Sequence, residues 1–437
     1  MNIRPFTSGF SFHRHLPCTL VLAAAFSSLV ASGRAGDFSA PAREMKIQLA
    51  EKILPYWFDT AQDTNQGGYL LADDAENGRG RAVEKQIVTQ SRMIWGFSHA
   101  HLAGFGDTNR NYLKAAQQGY HFLLDHFLDR QNGGYFWATD LNGQPLNEGK
   151  YLYGEAFVVY ALVEYSRASG DPEALHRALE LYHTVQTHLH DGKNGGWFEH
   201  ADRRWKLLSP GDPRSEVEVI GCKSANAHLH WMEALAELYD ATHDPEVKVS
   251  LAEALRINQT YFYPENPAQC AFHRQFDWQP VAAPGSAGLS YGHNVEFAWL
   301  MIRAENVLGQ PPAWKHFYAL LDHALKHGYD FEHGGLYSRG FDDQPAADTE
   351  KVWWIQAEML AALTDALKHK PDAHYDAALD KLLQFIKTFQ ADPKDGIWYY
   401  AVTADGKPKD MTKANSWKAN YHDVRAMIKF EEAFAGR

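Results

Sequence analysis

The chain has 437 residues, of which 45% are apolar, 22% charged and 13% aromatic, with three cysteines. That composition excludes a disordered chain, a collagen-like repeat and a disulfide scaffold. With 42 basic against 54 acidic residues the formal charge is −12, which speaks against a nucleic-acid or anionic-membrane partner and suits a small molecule.

Residues 1–35 read as a secretory signal peptide: a basic start with Arg4 and Arg14, an uncharged apolar run from Leu16 to Val30, then Gly33-Arg34-Ala35. The run is too short to span a membrane and no second span follows it. The expected mature protein is therefore exported, periplasmic or secreted, and residues 36–437 form one domain. Cys18 leaves with the leader; the sequence does not decide whether Cys222 and Cys270 pair.

Apolar residues recurring at three and four predict twelve helices, at 43–58, 88–103, 110–127, 151–167, 172–188, 224–241, 245–260, 290–308, 312–327, 352–368, 373–389 and 420–434. Between alternate helices a Gly-Gly-aromatic signal recurs: Gly67-Gly68-Tyr69, Gly133-Gly134-Tyr135, Gly195-Gly196-Trp197, Gly334-Gly335-Leu336-Tyr337 and, degraded, Gly396-Ile397-Trp398. The steps are 66, 62, 139 and 61 residues. The long step spans two periods, so a sixth copy without its glycines is expected near Cys270-Ala271-Phe272-His273. Each signal predicts a tight turn and a short strand. Six helical hairpins close into an all-α (α/α)6 toroid, with the helix after each turn on the inside.

The unusual polar residues fall at the starts of those inner helices: Arg92, Tyr153, Asn226 with His230, His293 with Glu296, Trp354, and His422. Asn226 and His230 are four apart and His293 and Glu296 three apart, so each pair shares a helix face. His228, His99 and His101 lie off those faces and are read as packing residues. Converging helix N-termini favour an anionic intermediate. No His-Glu-x-x-His zinc signature, Gly-rich phosphate loop or serine elbow is present, so neither metal nor nucleotide cofactor is expected. Trp353, Trp354, Trp417 and Tyr153 are candidates for stacking on a sugar ring.

Ser290-Tyr291-Gly292-His293-Asn294-Val295-Glu296, Asn226-Ala227-His228-Leu229-His230, Trp353-Trp354-Ile355-Gln356-Ala357-Glu358 and Trp417-Lys418-Ala419-Asn420-Tyr421-His422 resemble the motifs of the N-acylglucosamine 2-epimerase superfamily. The resemblance covers essentially the whole mature chain, in order. It implies an (α/α)6 fold and C2 epimerisation of unmodified aldoses without metal or redox cofactor. Its nearest branch acts on the reducing end of a β-1,4-linked disaccharide such as cellobiose. It further implies His293 and His422 as the general acid/base pair, His230 as a supporting histidine, and Arg92 and Glu296 as polar partners of the reacting end. Tyr153, Asn226, Trp354, Trp417 and Glu358 would contact the substrate. Asn294, Ala419-Asn420 and Asp423 depart from the usual motifs, which bears on the preferred sugar.

Two neutral imidazoles suit the chemistry, because histidine accepts or donates a proton near operating pH. Alternatives remain on the residues alone: aldose–ketose isomerisation, N-acylglucosamine 2-epimerisation, glycoside hydrolysis by two of Glu155, Glu296 and Glu358, or sugar binding without catalysis. The expected partner is a mono- or disaccharide, and the expected state a monomer or weak homodimer.

Overall fold

A computed structural model describes residues 36–74, 80–212, 217–281 and 288–436; the expected signal peptide lies outside the described residues. α1 (Ser39–Gln48) and α2 (Leu54–Ala61) form one rod joined through a π turn at Leu49–Ile53. There follow α3 (Ile87–Leu102), α4 (Tyr112–Phe122), α5 (Leu152–Ser169), α6 (Pro172–Leu189), α7 (Ala225–Thr242), α8 (Pro245–Ile257), α9 (Tyr291–Leu308), α10 (Trp314–His327), α11 (Trp353–His369), α12 (Ala373–Phe385) and α13 (His422–Phe434).

α3, α5, α7, α9, α11 and α13 pack side by side as an inner ring that closes where α13 meets α3. Each is backed by an outer helix; α13, last in sequence, is backed by α1, the first. This is the (α/α)6 barrel. Composition explains the two layers. Every residue of α5 from Leu152 to Tyr165 is buried, as an inner helix requires, whereas α6 buries only a stripe of Ala174, Ala178, Leu181, Tyr182, Val185 and Leu189. Local chemistry sets the helix ends: Asp171 caps α6 with Pro172 at its first position, and Gly170 ends α5 at φ 73°. At the closing seam, a Cβ on Gly96 of α3 would lie 2.1 Å from the carbonyl oxygen of Asn420. Only glycine admits that approach.

The Gly-Gly signals are the turns expected. Gly67 and Gly68 sit at φ 85° and 67°, and Gln62 bridges to Tyr69; Leu128–Tyr135, His190–Trp197, Tyr329–Leu336 and Ala391–Trp398 repeat the bridge. The sixth copy lies where expected, since Ala271 N–H donates to Phe262 as Leu70 does to Ala61. Each short strand leading into an inner helix pairs with the next unit, as Lys85–Gln86 does with Ala138–Thr139. Asp73–Asp74 pairs with Thr412–Ala414, so the rim closes as well.

The sequence periodicity did not anticipate that α4, α8 and α12 end in π turns, at Leu123–Phe127, Asn258–Phe262 and Ile386–Gln390. Cys222 and Cys270 are free thiols. No described helix is long and apolar enough to cross a membrane.

Candidate active site

The turns put the N-terminal ends of the inner helices at one end of the barrel, and a cavity of about 170 Å³ lies among them. Arg92 of α3, Tyr153 of α5, Asn226 and His230 of α7, His293 and Glu296 of α9, Trp354 of α11 and His422 of α13 line it, with Trp417 from the loop before α13. Nine of the ten residues to which the family resemblance assigns a role therefore meet in one cavity. Trp353 and Tyr400 join them; Tyr400, in a loop with no motif, had given no signal.

Glu358 is the exception. It was expected to touch the sugar, but it is fully buried behind His422 and does not line the cavity. Its Oε1 lies 2.6 Å from His422 Nδ1 and 2.8 Å from Arg425 Nη2, and its Oε2 accepts from Trp299 Nε1. Four residues beyond Trp354, it points toward the barrel axis one turn deeper, so its reach is to the imidazole rather than to a ligand. Burial alone would raise this carboxyl, but Arg425 and His422 overcome that and hold it at about 2.

An ionised Glu358 only accepts, so His422 Nδ1 carries the proton and its Nε2 has the free lone pair. His230 is held the same way, its Nδ1 donating to Glu233 Oε2 at 2.8 Å. His293 is held differently. Its Nδ1 lies 2.8 Å from the Ser290 hydroxyl and its Nε2 lies 3.3 Å from Asn226 Oδ1. Asn226 spends its amide N–H on Glu218 Oε1, which turns its oxygen to His293. His293 Nε2 therefore carries the proton and Nδ1 accepts from Ser290. Burial pushes all three histidines below their ordinary range, His422 to about 3 against the pull of Glu358. All three imidazoles are neutral at physiological pH. The Trp354 ring sits 4.7 Å from His293 and 5.7 Å from His422.

Arg425, which the motifs did not reveal, organises the floor. It donates to Glu233, to Glu296 at 3.1 Å and to Glu358 at 2.8 Å. Burial and the neighbouring Glu358 charge raise Glu296 well above the carboxylate range, so it is a neutral acid whose buried Oε2 finds no partner among the described residues. Arg92 donates to the Trp417 carbonyl and the Tyr153 hydroxyl and stacks 4.3 Å over Phe157, while its buried Nε has no such partner.

The carboxylates needed for hydrolysis do not face each other across a bond. Glu155 accepts from Tyr135 N–H in a turn, and Glu296 and Glu358 share one guanidinium. His228 is a packing residue as read, bonded to Trp197 N–H and the Ser224 carbonyl, and His99 pairs with Glu164.

Neutral imidazoles, a protonated carboxyl and tryptophans gathered around one cavity of an (α/α)6 barrel suit an enzyme that converts a sugar. The N-acylglucosamine 2-epimerase (GlcNAc 2-epimerase) family matches residues 55–426, and the chain belongs to that family. It is 32% identical over 391 residues to a cellobiose 2-epimerase of Ruminococcus albus, covering 87% of this chain and 96% of the relative. With the Bacteroides fragilis cellobiose 2-epimerase it shares 29% over 399 residues, 88% of this chain and 97% of that one. The structure of cellobiose 2-epimerase from Spirochaeta thermophila superposes with a TM-score of 0.80 at 31% identity, over 90% of this chain and 96% of the other. The chain is a carbohydrate epimerase, an isomerase with a small sugar as substrate.

Proposed function

We propose that the enzyme inverts C2 of the reducing-end aldose of a β-1,4-linked disaccharide such as cellobiose, using His422 and His293 as paired base and acid. The observation that carries this reading is their opposite hydrogen bonding: Glu358 sits behind Nδ1 of His422, which leaves its Nε2 bare, and Asn226 Oδ1 faces Nε2 of His293, which keeps the proton there. The open-chain aldehyde makes the C2–H acidic. His422 takes that proton, the pair of electrons moves into an enediolate, and His293 returns a proton to C2 from the other face. In the reverse direction the two exchange roles.

Negative charge collects on O1 and O2 of the enediolate. Arg92 supplies a fixed cation and Glu296 a neutral O–H donor, and one such donor is worth about 2.7–4 kcal/mol in the transition state. Trp354 and Trp417 stack on the sugar rings. His230, with Nε2 bare like that of His422, accepts from a substrate hydroxyl. The relatives named cellobiose 2-epimerase support the disaccharide. The basic, apolar and small-residue order of residues 1–35 supports export of the enzyme.

Conversion of cellobiose to its C2 epimer, followed chromatographically, tests the assignment. His422→Asn and His293→Asn should each lose about 10²–10⁴ in rate; turnover near that of the parent in either variant refutes it.

A further inference from the structure

Among the described residues, two groups of three gather histidine and carboxylate atoms closely enough for one metal ion. Glu296, Glu358 and His422 are one, but Arg425 already fills the cation's place between those carboxylates. The other lies on the outer face of the barrel. His323 and His327, one turn apart on α10, present their rings 4.7 Å from each other. Asp343 Oδ1, from the loop after Gly340, lies 3.4 Å from His323 Nε2 and 3.9 Å from His327 Nε2. Ligands about 2.0–2.2 Å from a tetrahedral ion stand about 3.3–3.6 Å apart; the Asp343–His323 edge matches that spacing and the Asp343–His327 edge is a few tenths of an ångström longer.

The loop is shaped for this. Asp342 holds φ 45°, a left-handed backbone unusual for a residue other than glycine, and so its carbonyl accepts the Nε2–H of His323 at 3.0 Å. A metal ion would take the place of that proton, which the buried, unpartnered Nδ1 of the same ring can carry instead, with Asp343 reaching the same point. The Ala346 N–H donates to the His327 carbonyl and fixes the loop against the end of α10. Both imidazoles are nearly buried, at 6% and 10% side-chain exposure, while Asp343 is 68% exposed and leaves room for a water. Burial keeps His323 neutral, the form that ligates.

We propose that His323, His327 and Asp343 form a binding site for one divalent transition-metal ion, zinc or cobalt rather than calcium or magnesium, that clamps the fifth hairpin loop onto α10. Two imidazoles and one carboxylate select nitrogen-preferring ions. The strand behind this loop, Arg339–Gly340, pairs with Leu289–Ser290 at the start of α9. The clamp would therefore steady the segment that carries Ser290 and His293.

The test uses the untagged full chain, stripped with chelator and titrated with Zn²⁺ by calorimetry and with Co²⁺ by visible spectroscopy. One equivalent of Zn²⁺ should bind at micromolar or tighter affinity, and Co²⁺ should show tetrahedral d–d absorption. His327→Ala and the surface variant Asp343→Asn should each weaken binding by at least about tenfold, with epimerisation by the stripped protein unchanged. His422→Asn should still bind its equivalent, which separates this site from the cavity. Absent binding, binding indifferent to both loop and helix variants, or binding lost in His422→Asn overturns the proposal.

Discussion

Glu296 and Glu358 are two buried carboxyls sharing one guanidinium, and such a pair does not carry two negative charges. The proton falls on Glu296, because Glu358 has His422 and Trp299 as additional donors. A neutral Glu296 behaves as an amide does, accepting from Arg425 with one atom and donating with the other. Glu296→Gln should accordingly keep activity within about tenfold of the parent, whereas Glu296→Ala should lose about 10²–10³, the cost of one transition-state donor. Steady-state rates on cellobiose distinguish them; equal losses would show an ionised Glu296. Arg425→Met leaves the buried Glu233 and Glu358 without their cation and should cost about 3–5 kcal/mol in urea unfolding. At this scale the sequence yielded the cavity wall but not what stands behind it. His293, His422 and Arg92 lie in motifs with odd chemistry, whereas Arg425 and Glu233 sit one turn deeper among apolar neighbours. One signal was available: Arg425 follows Lys418 by seven residues, as His230 follows Lys223 and Glu358 follows Lys351.

Those lysines belong to a device repeated at the level of the hairpin. An Asp four residues before the Gly-Gly pair accepts from the next residues' N–H groups and from a buried lysine that leads into the inner helix. Lys85 with Asp63, Lys223 with Asp191 and Lys351 with Asp330 all measure 2.8 Å. The same lysine donates to a turn carbonyl and to a second loop, so it ties three pieces of chain. The fourth residue of four of the six inner helices completes the tie: Gln90, Glu155, His228 and Gln356 accept from the N–H after the Gly-Gly turn. Lys351→Met should therefore cost about 3–5 kcal/mol by leaving the buried Asp330 without its cation, and thermal unfolding measures it. Glu155→Ala orphans the Tyr135 N–H, costs about 1–3 kcal/mol and should leave turnover by the folded enzyme intact. The glycines announced the turns because positive φ constrains the residue type. The lysines were not singled out, since one lysine per sixty residues is unremarkable until its burial is seen. The π turns were invisible for another reason: a single wide turn shifts the apolar stripe without interrupting it.

Across the whole molecule, closure by an N-terminal outer helix on a C-terminal inner one makes the barrel a single cooperative body with its histidines at the centre. Three of them, His230, His293 and His422, are neutral when folded because burial lowers their affinity for protons. Unfolded, each regains a value near 6.5. Below that pH the unfolded chain binds protons that the folded chain refuses, so stability is full above about 6.5 and falls as the medium is acidified toward 3, where His422 itself is protonated. The slope approaches about 1.4 kcal/mol per pH unit for each such histidine. Unfolding free energies measured between pH 8 and 4 should therefore decline steeply on the acid side, and a flat profile would mean that these histidines are charged when folded.

The proposed function exchanges a proton at one carbon, and such an exchange leaves an isotopic trace. Cellobiose incubated with the enzyme in D₂O and followed by NMR should gain deuterium at C2 of the reducing-end sugar in the epimerised product, with the glycosidic bond intact. Epimerised product carrying only protium at C2, or release of free glucose, would contradict the exchange of a C2 proton between His422 and His293.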